Sequence, residues 1–189
     1  MNFILLNKNN IDTIIDSEII KEMPSLKECK LLVLLKNSQL IVGAAGIGKF
    51  LNISALQITK DYQRRGIGYF VYKELIETLR KSGYSYITCY VDDKNTESIQ
   101  MHEYFHFKTL FKIHLSKEKT QEIKILVLSK KGRFIDLFLK LFNSRLSQLI
   151  LISFVKYIIK IKPQILGQSF RDDSVNISIK YVLKNFEKI

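Results

Sequence analysis

Leu56-Gln57-Ile58-Thr59-Lys60-Asp61-Tyr62-Gln63-Arg64-Arg65-Gly66-Ile67-Gly68 passes from an apolar alternation, through a polar loop, into a helical repeat. The repeat is Ile67, Val71, Leu75 and Leu79, spaced by four along one helix face and ended by Gly83. Glycines at a helix start let the backbone approach an anion closely, and they leave several N–H groups free to point at it. Arg64 and Arg65 add cationic charge at the rim. A pyrophosphate is the anion that this strand–loop–helix unit suits. No Gly-Lys-Ser/Thr follows, so the loop is not a P-loop, and its two glycines do not make a Gly-x-Gly-x-x-Gly fingerprint.

Upstream, Met1–Leu6 is too short an apolar run for a signal peptide and reads as a first strand. Ile11 to Cys29 carries apolar residues at helical spacing, broken at Pro24. Leu31–Leu35 and Leu40–Ala45 flank a polar turn and predict a β-hairpin. Leu51 to Ile58 predicts a third strand. Its alternation changes phase after Ala55, which fits either a β-bulge there or misjudged strand limits. Downstream, Tyr86–Val91 predicts a strand with Ile87, Cys89 and Val91 on one side. Asn95 can cap a short helix reaching Phe105. Phe107–Leu115 and Ile123–Leu128 then predict a closing antiparallel pair. The expected fold is α/β (α+β): a mixed, mostly antiparallel central sheet flanked by helices, with a C-terminal helical extension. The expected division is a domain over 1–130 and an extension over 131–189.

Gln-x-x-Gly-x-Gly after a strand of Leu-x-Ile form, followed by Asn95-Thr96-Glu97-Ser98 through Phe107, resembles the GNAT N-acyltransferases over about residues 31–130. That resemblance implies acetyl-CoA as co-substrate and transfer of an acetyl or other short acyl group to a primary amine. It implies that Gln63, Arg64, Arg65, Gly66, Ile67 and Gly68 contact the cofactor's pyrophosphate, mainly through backbone amides. It further implies that the main chains of Leu56 and Ile58 bond the pantetheine arm where strands splay, with Asn95 near that arm.

The same resemblance asks for a general acid for the departing thiolate, usually a tyrosine. Here the aligned position is His102, which shares a helix face with Asn95 and Ser98. A charged histidine can donate a proton, with a reference pKa near 6.5; a partly buried, hydrogen-bonded histidine is the structural alternative. Tyr104 is the second candidate donor, on another face. His106 stands where the family has glycine, and histidine is among the residues tolerated at positive φ. No acidic residue lies on the Leu51–Ile58 strand to serve as general base; Asp92 and Asp93, at the end of the next strand, could act through water, but such a pair more often caps a turn or helix. Cys89 alternates with Ile87 and Val91 and reads as buried packing.

Composition fits this reading. The chain has 189 residues, 47% hydrophobic and 25% charged, which argues for a real core and against disorder. Two distant cysteines give neither a disulfide framework nor a metal-ligand spacing; no metal is expected, and a reducing cytoplasm suits them. The net charge of +12 implies anionic partners. Over half of it lies from Lys131 on, where only Asp136, Asp172, Asp173 and Glu187 oppose the basic residues. Apolar stripes such as Phe134, Leu137, Phe138, Leu141 and Phe142 accompany that charge, and residues 146–161 are apolar over most of a helix circumference. Such a tail packs on the domain, pairs with a second copy in a homodimer, or lies through 131–162 on an anionic inner membrane surface. Nucleic acid is disfavoured because no recognition motif accompanies the charge. The rival functions are an acetyl-CoA sensor without turnover and a partner- or membrane-docking protein. The expected acceptor is a small-molecule or peptide amine.

Overall fold

The computed structural model describes residues 1–7, 9–14, 17–48, 52–114 and 120–134. The chain forms two compact units, Met1–Cys89 and from Tyr90 on.

In the first unit, β1 (Asn2–Asn7), β2 (Cys29–Asn37), β3 (Leu40–Gly48) and β4 (Ser54–Ile58) make one sheet in the order β1-β2-β3-β4. Every ladder in it is antiparallel. The β2–β3 hairpin turns at Ser38, whose φ of 56° is left-handed. The expected helix over 11–29 is broken into a 3-10 turn (Ile11–Ile14), a short α1 (Glu18–Glu22) and a second 3-10 turn (Pro24–Glu28). Pro24 cannot supply the N–H that a continuing helix needs. Ile19, Ile20 and Leu26 still reach the core, packing with Leu32, Leu34 and Ala44.

β4 differs from its expectation in one respect. It pairs with β3 from Ile47↔Ser54 to Gly43↔Ile58 without interruption, so no bulge follows Ala55. The phase change in the sequence arises at the strand's start. Asn52 has φ 50°, so Ile53 enters from a left-handed residue rather than from an extended one. Register shifts lie instead on β2, between Cys29 and Leu31 and between Leu35 and Lys36.

α2 (Ile67–Lys81) crosses the opposite face of this sheet from α1 and buries Ile67, Val71, Tyr72, Leu75, Ile76 and Leu79. Gly43 is what permits the close approach. A Cβ there would sit 2.9 Å from Ile58 Cδ1 and 3.0 Å from Val71 Cγ2. The helix ends in a Schellman turn: Gly83 (φ 77°) donates to the Arg80 carbonyl and Tyr84 to the Leu79 carbonyl. Arg80 and Lys81 in the last turn complement its dipole.

β5 (Tyr86–Asp92) meets β4 at a single parallel bridge, Ile53↔Thr88, and among the described residues the two strands pair no further. β5 belongs to a second sheet, in the order β5-β7-β6, with β6 (Lys108–His114) and β7 (Thr120–Val127) antiparallel. α3 (Thr96–Tyr104) lies between β5 and β6 in sequence. Among the described residues no helix is long and apolar enough to cross a membrane, and no three His, Cys, Asp or Glu side chains gather as a metal set. The extension lies outside the described residues from 135 on; at its start is one helical turn over 130–134, in which Phe134 is exposed.

Candidate active site

The first unit carries an open strand edge beside an uncapped helix. In an antiparallel pair, residues bond their partner strand alternately. Gly48 N donates to Ile53 O at 2.7 Å and Thr59 N to Val42 O at 3.1 Å. Counting between those bonds, Ile53, Ala55, Gln57 and Thr59 face β3. Ser54, Leu56 and Ile58 therefore direct their main-chain N–H and C=O groups the other way, to the edge that, among the described residues, has no ladder beyond the Ile53↔Thr88 bridge. Two of these, Leu56 and Ile58, are the residues expected to bond an extended ligand arm.

Asn52 secures that bridge. Its carbonyl accepts the Thr88 N–H at 3.1 Å, its amide donates to Tyr86 O at 3.0 Å, and its Oδ1 accepts Lys30 Nζ at 2.7 Å. The sequence reading missed Asn52. The signal was present, since asparagine tolerates left-handed φ and stands just ahead of the broken alternation.

The loop after β4 is built for close approach. Arg64 (φ 59°) and Gly66 (φ 75°) are both left-handed, which turns successive amides toward one side. Gly66 is the N-cap of α2; no side chain caps the helix, and no acidic residue lies in its first turn. A Cβ on Gly66 would meet nothing within 4 Å, and one on Gly68 would be 3.7 Å from Leu56 Cδ2. The surface above the loop is thus open, and a helix-start partial charge faces it. Arg64 and Arg65 are exposed, and the Arg65 guanidinium lies 5.5 Å from the centre of the Tyr62 ring. The Gln63 side chain behaves otherwise. Its amide donates to Ile58 O at 3.0 Å, which ties the loop to the β4 edge.

In the second unit, Asn95 caps α3, its Oδ1 accepting Ser98 N at 2.9 Å. Asp92 closes the preceding turn, with Oδ1 accepting Lys94 N at 3.0 Å and its carbonyl accepting Asn95 N at 2.9 Å. His102 is 5% exposed. Its Nδ1 lies 2.6 Å from the Ser98 carbonyl oxygen. A carbonyl only accepts, so Nδ1 carries the hydrogen and Nε2 is the basic nitrogen of the neutral ring. Burial pushes the His102 pKa down, the Ser98 hydrogen bond opposes this, and the Lys124 charge lowers it further. Tyr104 is 65% exposed and meets Phe105 edge to face. His106 takes φ 62°, the left-handed turn for which its position calls.

Lys124, 3% exposed, forms a polar cluster on β6 and β7 that the sequence did not reveal. Its Nζ lies 2.8 Å from Glu122 Oε2 and donates to Thr109 Oγ1 at 3.2 Å; Lys112 lies 3.3 Å from Glu122 Oε1. Burial raises the Glu122 carboxyl, but the Lys124 hydrogen bond and charge, then those of Lys112, outweigh it and leave the pKa depressed. Cys89 is 3% exposed within the core.

Solved structures share this fold. The ribosomal-protein-S18-alanine N-acetyltransferase of Escherichia coli aligns with a TM-score of 0.55 at 18% identity, over 68% of this chain and 95% of that one. The ribosomal-protein-alanine N-acetyltransferase of Brucella melitensis aligns at 0.55 and 13%, over 68% and 100%. The protein yncA of Salmonella typhimurium, solved with its cofactor acetyl-CoA, aligns at 0.54 and 12%, over 69% and 96%. No curated protein sequence matches the chain. The acetyltransferase (GNAT) family pattern matches residues 9–107, which include α1, the whole β4–loop–α2 unit and the capped α3. On that match, the chain belongs to the GNAT acetyltransferase family.

Proposed function

We propose that this protein transfers an acetyl group from acetyl-CoA to a primary amine. The observation that carries the reading is the uncapped, acid-free start of α2 behind Gly66, next to the outward main-chain groups of Leu56 and Ile58. A diphosphate suits the amides of Arg65 to Gly68, and an amide-bearing arm suits the strand edge. Arg64 and Arg65 add attraction for the phosphates, and the family resemblance assigns Asn95 to the arm as well.

In the reaction the amine nitrogen bonds the carbonyl carbon, the carbon–sulfur bond breaks, and the thiolate takes a proton. Main-chain donors on the strand edge polarise the carbonyl, and binding of both reactants supplies proximity. His102 is the proposed proton carrier. Neutral at rest, its Nε2 takes the proton that the attacking nitrogen sheds and passes it to the thiolate. A depressed pKa suits that order, because the ring must start unprotonated. Tyr104 is the alternative donor.

Release of free thiol from acetyl-CoA, followed with a panel of a lysine-containing peptide, putrescine and glucosamine, tests the proposal. Amine-dependent thiol release and an N-acetylated product are expected. Tight acetyl-CoA binding without turnover on any amine would identify a sensor instead. Membrane contact through 131–162 belongs to this proposal as well. Vesicles of anionic lipid should carry the full chain upward on flotation, and a chain ending at Lys130 should stay behind.

A further inference from the structure

The two faces of β4 are different. Ser54, Leu56 and Ile58 turn their side chains toward α2: Ser54 Oγ lies 2.7 Å from the Tyr72 hydroxyl, and Leu56 and Ile58 stand next to Gly68. By alternation Ala55 and Gln57 lie on the other face. That is the face covered by α1, where Ala55 packs against the core that holds Ile19 and Ile20. From it Gln57 Nε2 donates to Glu22 Oε2 at 2.8 Å, joining α1 to a strand 35 residues away. The sequence places no carboxylate on β4, but the fold brings one to it.

We propose that Glu22 receives the acceptor amine in its cationic form, which gives up one proton to solvent before the neutral nitrogen attacks, with Gln57 as the residue that positions Glu22; the inference rests on the acetyl-transfer reading above. The glycine loop and α2 occupy one side of β4, so the donor arm comes to the open edge from there. The acceptor then has the α1 side, and Glu22 is the carboxylate bonded to β4 on that side. Glu22 is exposed, and among the described residues no Lys or Arg forms an ion pair with it, although the chain carries 30 such cations. Gln57 uses one acceptor site of Oε2. Oε1 and the second site of Oε2 are left for an ammonium group, which has three donors. A surface of net charge +12 repels cations, so an acceptor with one positive charge needs such a local anion.

The test uses the full chain and whichever amine of the peptide, putrescine and glucosamine panel is turned over fastest. Glu22→Gln should raise KM for the amine on the order of tenfold, the effect of losing one charge-assisted hydrogen bond. KM for acetyl-CoA and the melting temperature should stay as in the wild type. Glu22→Asp should recover part of the loss, and Gln57→Leu should show a smaller rise than Glu22→Gln. An unchanged amine KM in Glu22→Gln, or an equal rise in the acetyl-CoA KM, overturns the assignment of Glu22 and leaves acetyl transfer standing. A wild-type protein that acetylates no amine overturns both.

Discussion

His102 and Phe107 are joined twice: the Phe107 N–H donates to the His102 carbonyl at 2.9 Å, and their rings meet edge to face at 4.9 Å. With His106 N donating to Glu103 O, this is a Schellman ending for α3, and the ring contact is the apolar pair that accompanies such a turn. His102 therefore serves the fold through its ring and, in our account, the reaction through Nε2. Phenylalanine keeps the ring and removes the nitrogens. His102→Phe should fold with a melting temperature close to that of the wild type and bind acetyl-CoA equally, while kcat falls about 100-fold, the usual scale of a proton-transfer catalyst. Steady-state kinetics and titration of acetyl-CoA check this. An unchanged kcat would remove His102 from the chemistry.

The depressed His102 pKa fixes the direction of two pH effects. As carrier the ring must start neutral, so kcat should fall as pH drops through a value below the reference of about 6.5. Stability moves the same way. As pH falls below about 6.5 the unfolded chain takes up this proton first, so the folded state loses stability until the folded pKa is passed. His102→Phe should abolish both contributions, which pH–rate and pH–melting profiles would reveal.

Lys124 and Glu122 form a pair whose halves need one another. Lys124→Met leaves Glu122 partly buried with only Lys112 as cation, and it should cost roughly 3 kcal/mol in urea unfolding. Adding Glu122→Gln should return part of that loss, because the stranded charge is gone. Since the folded Glu122 pKa is depressed, the wild-type contribution is full above the unfolded value of about 4.3 and lost as pH falls through the lower folded value. The double variant should lack that acid-sensitive part.

Asn52 ties the start of β5 to the residues just ahead of β4. Asn52→Ala loses both side-chain bonds and replaces a residue that tolerates φ 50° with one that does not, for about 2 kcal/mol of destabilisation. Asn52→Gly relieves the backbone but still lacks the links to Lys30 and Tyr86. Both variants should bind acetyl-CoA several-fold more weakly, glycine being the more stable of the two by thermal melting. Wild-type affinity in both would show that the strand edge is set elsewhere.

What was legible in the sequence was whatever local periodicity or capping decides. The four-residue repeat from Ile67 gave α2 to its Gly83 stop, Asn95 announced α3, and the Lys36–Gln39 break gave the β2–β3 turn. The glycine at the head of α2 and the strand carrying Leu56 and Ile58 were reachable through the family resemblance. Pairings between distant residues leave no periodic trace. Glu22 meets Gln57 across 35 residues, and Asn52 joins Lys30 to Tyr86. Of the two readings of the phase change at Ala55, the ladder supports misjudged strand limits and not a bulge: alternation alone does not say whether a ladder slips or a strand begins later, and here β4 starts at Ser54, after a left-handed Asn52.

Titration of coenzyme A into the wild type and Gly66→Val tests the account most directly. A Cβ at Gly66 meets no protein atom within 4 Å, so its steric effect falls on whatever occupies the loop, while its φ of 75° adds backbone strain that a melting curve reads separately. A folded variant that binds coenzyme A at least about tenfold more weakly is expected, one conformational or phosphate-contact loss of roughly 1.4 kcal/mol or more. A folded Gly66→Val protein with wild-type affinity would contradict it.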